Sequence, residues 1–112
     1  MPGTKVIPVK HNPDPPPLAT PEPFNATVPE TDDTLEFRAD PEVEFDTQQG
    51  GIQFESAEAP YTNRTVVDSR KITFSVDHDP AKAGIRWSYT ILVDQGPIVF
   101  PEDPTVENEP IP

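Results

Sequence analysis

The clearest group of chemically active side chains in the sequence is the tripeptide Asp77-His78-Asp79. Two carboxylates and an imidazole suit calcium or a transition metal, because hard cations take oxygen ligands and imidazole binds softer ions. Three successive residues on an extended backbone point in alternating directions, so they need a turn or further ligands to hold one ion. The sequence leaves two interpretations: a metal site, or a solvated turn that Asp79-Pro80 begins.

A second candidate is the aromatic pair Trp87 and Tyr89, which are two residues apart. On a strand this spacing places both rings on one face. The rings either stack on a ligand such as a sugar or pack in the core. Their position between Ile85 and Ile91, in a regularly alternating segment, favours core packing.

The remaining side chains indicate no catalytic set and no cofactor. Nucleophilic catalysis requires a nucleophile, a base and an orienting group. The chain has only two histidines, His11 and His78, and it has no cysteine, which excludes disulfides, thiolate catalysis and zinc–thiolate sites. No glycine-rich phosphate loop is present. A binding protein is therefore favoured over an enzyme.

The charge of the chain restricts its partners. There are 20 acidic and 8 basic side chains, and the formal net charge is −12. Nucleic acid and anionic membrane surfaces would be repelled, so neither is expected as a main partner, whereas a cationic partner is compatible with this charge. The sequence has no long apolar run and no signal-peptide pattern, which predicts a cytoplasmic protein.

The elements that must position these side chains are strands. Residues 85–93 and 71–77 alternate between apolar and polar side chains, so one face of each strand is expected to be buried. Segments 42–46 and 51–55 predict a hairpin whose turn includes Gly50 and Gly51 at positive φ. Shorter strands are predicted within three further segments: 35–38, 64–67 and 97–100.

Both ends of the sequence are rich in proline. Nine of the 17 prolines precede residue 30. Because proline fixes φ and removes an amide donor, residues 1–33 predict an extended arm with no helix and no central strand. Its apolar group Val6-Ile7-Pro8-Val9 leaves two models, a free arm or an arm that docks as an edge strand, and the apolar side chains favour docking. Residues 101–112 predict an extended acidic tail outside the sheet, with Val106 as its only candidate anchor.

Together these patterns predict an all-β fold, an antiparallel β-sandwich with an extended proline-rich N-terminal arm. The general pattern resembles that of immunoglobulin-like domains, where Trp87 would take the place of their inner tryptophan. The paired cysteines of those domains are missing, so the resemblance concerns architecture alone. The expected division is an arm, 1–33, and a sandwich domain with its tail, 34–112.

The function predicted from the sequence is a small acidic module for binding or assembly with another protein. Two alternatives remain open at this stage. One is a small metal-dependent enzyme centred on Asp77, His78 and Asp79. The other is a carbohydrate-binding module that uses Trp87 and Tyr89.

Overall fold

The computed structural model describes residues 3–110, which form ten strands and one 3-10 turn, Pro80–Lys82. The strands are β1 Gly3–His11, β2 Ala19–Pro21, β3 Asn25–Val28, β4 Asp32–Ala39, β5 Ile52–Phe54, β6 Tyr61–Asp68, β7 Lys71–Val76, β8 Trp87–Val93, β9 Gly96–Pro97 and β10 Thr105–Asn108. The predicted all-β class is confirmed. No helix in the described range is long and apolar enough to cross a membrane.

The strands form two mixed sheets. The first has the order β2-β1-β4-β7-β6, and the second has the order β3-β10-β8-β5 with β9 paired to β8. Two neighbouring pairs are parallel, β1 with β4 and β3 with β10. The prediction of a purely antiparallel arrangement is therefore wrong. The reason is that each parallel pair joins strands that are distant in the sequence, so alternation within the single strands carries no information about their direction.

One core lies between the two sheets. Inward residues of β4 and β7 meet those of β8 and β5: the rings of Phe37 and Tyr89 are 5.0 Å apart, and those of Phe54 and Phe74 are 5.3 Å apart. The predicted facing of β7 is confirmed, because its alternate apolar side chains Ile72, Phe74 and Val76 are buried. Aromatic contacts of this edge-to-face kind add to the free energy of burial.

The proline-rich N-terminal segment contributes strands to both sheets. The prediction that it holds no central strand is wrong, because β1 lies between β2 and β4. Pro8 is tolerated there because its carbonyl faces β2 and accepts a hydrogen bond from the Glu22 amide at 2.9 Å. The amide of a strand residue points to the same side as its carbonyl, so the missing donor faces the short edge strand β2 and leaves the pairing with β4 intact.

The C-terminal segment is likewise inside a sheet. β10 pairs with β3 on one side and with β8 on the other, and Val106 and Asn108 are buried. The expectation of a tail that leaves the sheet is wrong over Thr105–Asn108. Two prolines flank this strand at positions 104 and 110, where they do not interrupt its hydrogen bonds.

The hairpin predicted for residues 42–55 does not form. Phe45 makes an isolated bridge to Val93, whereas β5 pairs with β8 over Ile52 to Phe54. The predicted turn geometry is confirmed, since Gly50 and Gly51 have φ of 85° and 71°. These glycines turn the chain so that both of its flanks contact β8, and a side chain at Gly51 would collide with Ile72 and Phe45.

The strands define two ends of the molecule. At one end, the amide of Gly3 donates to the Thr31 carbonyl and the amide of Glu109 donates to the Val28 carbonyl. We call this end, with the neighbouring residues 76–85, the terminal pole. The opposite end carries the turns at 12–18, 40–44 and 94–96, because β1, β4 and β8 all run towards it. We call it the distal pole.

Candidate functional site

The aromatic pair predicted from the sequence is part of the core. Tyr89 has no exposed surface, and its ring packs on Phe37 and Phe54. Trp87 is partly buried and packs against the edge of the same core. The two rings therefore form no common platform on the surface. Trp87 Nε1 and the Tyr89 hydroxyl are buried without a hydrogen-bond partner among the described residues.

The Asp77-His78-Asp79 segment lies at the terminal pole, where its polar groups serve separate contacts. His78 Nε2 lies 2.6 Å from the carbonyl oxygen of Asp32, and the Asp79 carboxylate accepts from the Ala81 amide at the start of the 3-10 turn. Within residues 3–110, no group of three or more histidine and acidic side chains is arranged to hold a metal ion. Asp79 thus caps the 3-10 turn and His78 contacts β4, whereas Asp77 is bonded through its backbone, its carbonyl accepting from the Asn108 side chain.

A buried hydrogen-bonded group joins the two sheets at the same pole. Asn108 of β10 accepts a hydrogen bond from the Tyr61 hydroxyl at 2.9 Å and donates to the carbonyl of Asp77 at 3.0 Å. Burial, together with the nearby charge of Glu107, raises the pKa of Tyr61 well above its ordinary value. Burial also raises the pKa of Tyr89. Both phenols therefore stay protonated at neutral pH and are unsuited to act as bases.

The distal pole carries an apolar groove with a volume of about 280 Å³. The proline-rich turn after β1 forms one wall, and the segment from β9 onward forms the other. Val99 is the most exposed large apolar side chain of the described residues, at 79%. The apolar residues that line the groove are Pro16, Pro17, Leu18, Val93, Pro97, Ile98 and Val99.

A second cavity, with a volume of about 200 Å³, adjoins this groove. Three of its lining residues are acidic, Glu42, Glu44 and Asp94, and none of them is basic. The two cavities share a wall formed by Leu18, Val93 and Gln95. We call the two together the distal groove, with an apolar half and an acidic half.

Local hydrogen bonds hold the walls of the distal groove. The Asn12 side-chain amide donates to the carbonyl of Pro17 at 2.7 Å, and the Asn12 backbone amide donates to Leu18. On the opposite wall, the Ile98 amide donates to Ile91 at 2.9 Å, and Gly96 at φ 111° closes the turn between β8 and β9. The groove is therefore formed by turns that are fixed to the sheets.

Only part of the ion-pairing capacity of the acidic half is used. Arg70 lies outside the cavity, donates to the carbonyl of Pro41 and approaches Glu44 Oε1 at 3.4 Å. Glu42 and Asp94 form no ion pair with any of the described residues. The acidic half therefore presents two free carboxylates beside an apolar surface.

Sequence reasoning missed this site because its walls come from three turns that are far apart in the chain. The signals were present but separate: the Pro16-Pro17-Leu18 run, the acids of 42–46 and the apolar Ile98-Val99 pair. Only the strand arrangement brings these segments to one end of the molecule.

A separate acidic pair, Glu55 and Asp103, lies outside the distal groove. The Asp103 side chain hydrogen-bonds to Glu55 and raises the pKa of Glu55, and desolvation and the charge of Asp103 act in the same direction. A like charge nearby disfavours the ionised form of the Glu55 carboxyl group.

Comparison of the chain with protein-family models, with curated proteins and with solved structures finds no match in any of the three.

Proposed function

We propose that this protein is a non-enzymatic binding module that engages another protein through the distal groove. The observation that carries the proposal is the junction of an apolar half with an acidic half at one end of the fold. Exposed apolar surface rimmed by polar residues commonly marks a site of interaction with another protein.

The fixed geometry of the groove supports the same proposal. The turns that form the groove are held by backbone and side-chain hydrogen bonds. A site that is already formed loses little conformational entropy when it binds.

We further propose that the architecture is an immunoglobulin-like sandwich, and the strand order supports this. In such domains the second, fifth and fourth strands are neighbours in one sheet, and the third, sixth and seventh are neighbours in the other. The orders β4-β7-β6 and β5-β8-β10 follow this pattern in sequence order. With this correspondence, Trp87 on β8 is not at the position of the inner tryptophan, and β1 is an added strand beside β4.

The two alternative functions receive less support from the contacts. His78 and Asp79 already bond to the backbone of Asp32 and Ala81, and Tyr89 has no exposed surface for a sugar. Chemical-shift changes at His78 and Asp79 on addition of calcium or zinc would support the metal-dependent enzyme. Shift changes at Tyr89 on addition of glycans would support the carbohydrate-binding module.

The proposal is tested by capture of proteins from the native host on three immobilised forms of the chain. The forms are the wild type, Val99→Arg in the distal groove, and Ile85→Arg as a matched control. Val99 and Ile85 are both exposed apolar residues, at 79% and 44%, and Ile85 belongs to the terminal pole. Mass spectrometry identifies and quantifies the proteins that each form retains.

The expected result is a protein that the wild type and Ile85→Arg retain and that Val99→Arg loses. The proposal is overturned if every captured protein is retained equally by Val99→Arg, or if the wild type captures nothing above an unrelated acidic protein.

A further inference from the structure

We infer that the ligand of the distal groove is an extended peptide that carries a lysine or arginine two residues away from an apolar side chain. This inference rests on the proposed function and specifies the chemistry of the partner. It follows from the charge, the size and the spacing of the two halves of the groove.

The charge of the acidic half selects a cation. Its lining residues include Glu42, Glu44 and Asp94 and no basic residue. Arg70 offsets the charge of Glu44 alone, so Glu42 and Asp94 stay available. A protein with net charge −12 also attracts cationic partners at long range.

The size of each half, taken separately, fits a single side chain. The cavities measure about 200 Å³ and about 280 Å³. Sites for small molecules of drug size commonly occupy roughly 300–1,000 Å³. Each half is therefore suited to one side chain of a peptide, with the peptide backbone outside.

The spacing follows from the wall that the two halves share. Leu18, Val93 and Gln95 line both halves, so the cation and the apolar group must be close neighbours on the ligand. In an extended peptide, successive side chains point to opposite sides, and alternate side chains point to the same side about 7 Å apart. The two anchoring residues are therefore expected at positions i and i+2.

The test uses four fluorescein-labelled peptides with a Ser/Gly background. The first has Lys and Leu at i and i+2, the second has them adjacent, the third replaces Lys by Glu, and the fourth replaces Lys by norleucine. Affinity is measured by fluorescence anisotropy, and the contact surface is mapped by amide chemical shifts on the wild-type chain. We expect the first peptide to bind most tightly, with shifts at the distal groove, and its affinity to fall with added salt.

Two double variants separate a local charge effect from a general one. Glu42→Gln with Asp94→Asn removes the free carboxylates of the acidic half. Glu30→Gln with Glu58→Gln removes the same net charge from exposed positions elsewhere. The first double variant should weaken the Lys peptide about three- to tenfold, whereas the second leaves its affinity nearly unchanged.

The outcomes distinguish this inference from the proposed function. If the norleucine or Glu peptide binds the groove as tightly as the Lys peptide, the inference is overturned and the proposed function stands. The same holds if no peptide binds while Val99→Arg still abolishes protein capture. If the chain instead self-associates in light scattering and Val99→Arg abolishes this, the ligand is a second copy, which also overturns the inference. Failure of the capture experiment overturns both.

Discussion

At the terminal pole, buried side chains bond across the two sheets, whereas at the distal pole three turns meet around a groove. Asn108 joins Tyr61 of one sheet to its own strand in the other, and His78 binds the start of β4. At the distal pole, Glu42, Asp94 and Val99 are exposed. The difference implies that substitutions at the terminal pole act on stability, whereas substitutions at the distal pole act on binding.

The largest effect is expected for Asn108→Leu at the terminal pole. Leucine has a similar size, but it removes two hydrogen bonds and leaves the Tyr61 hydroxyl and the Asp77 carbonyl without their partner. We expect the free energy of unfolding in urea to fall by about 2–4 kcal/mol. Asn25→Leu, on the exposed side of β3, serves as the control, because it removes one exposed hydrogen bond, from the Thr105 hydroxyl, and no buried one. Equal effects of the two variants would contradict the role assigned to Asn108.

A paired tyrosine experiment sharpens the comparison. Tyr61→Phe removes a hydroxyl that donates to Asn108, so it should lower stability by about 1 kcal/mol. Tyr89→Phe removes a buried hydroxyl with no partner among the described residues, so it should raise stability by about 1 kcal/mol. Urea denaturation measures both. If Tyr89→Phe destabilises the protein as much as Tyr61→Phe does, the Tyr89 hydroxyl has a partner, such as a buried water.

Variants of the distal groove should leave stability nearly unchanged. Val99→Ser and Glu42→Gln replace exposed side chains that make no hydrogen bond or ion pair within the described chain. We expect changes in the free energy of unfolding of less than about 0.5 kcal/mol. A loss of unfolding free energy as large as that of Asn108→Leu would show that the groove residues stabilise the fold. The contrast between the two poles would then not hold.

The smallest effect concerns the acidic pair outside the distal groove. Because Asp103 raises the pKa of Glu55, the folded state keeps this proton to higher pH than the unfolded state does. The contribution of Glu55 to stability is therefore most favourable at low pH and declines as the pH rises through the raised pKa. Asp103→Asn should lower the pKa of Glu55 towards its ordinary value, as measured by an NMR titration of the Glu55 side chain. An unchanged titration would exclude Asp103 as the cause.

Strand facing was predictable from the sequence, whereas strand neighbours were not. The alternation of Ile72, Phe74 and Val76 follows from local geometry, because successive side chains of a strand point to opposite faces. β1 can lie inside its sheet because Pro8 faces the short edge strand β2, and β10 can lie inside its sheet because the nearby prolines, at 104 and 110, flank the strand. Only the partner strand determines whether the missing amide of Pro8 matters.

The candidate site was less predictable than the fold. Residues that the sequence singles out by chemical type have structural contacts instead: His78 contacts the Asp32 carbonyl, and Tyr89 lies in the core. The distal groove instead consists of common residue types, such as proline, valine and glutamate. They form a candidate binding surface only because the fold brings them together. No spacing rule connects Pro16 with Val99, since the two meet only after both sheets have formed.

The inner position of β10 also affects how the protein is made. Asn25 of β3 bonds to Thr105 of β10 across 80 residues of sequence. During synthesis, the edges of β3 and β8 that pair with β10 therefore stay unpaired until β10 has been made. Contacts this distant in the sequence form slowly and leave strand edges open to misassociation meanwhile. The nascent chain thus completes its second sheet only after translation has passed residue 108, and any delay in that step prolongs its exposure to aggregation.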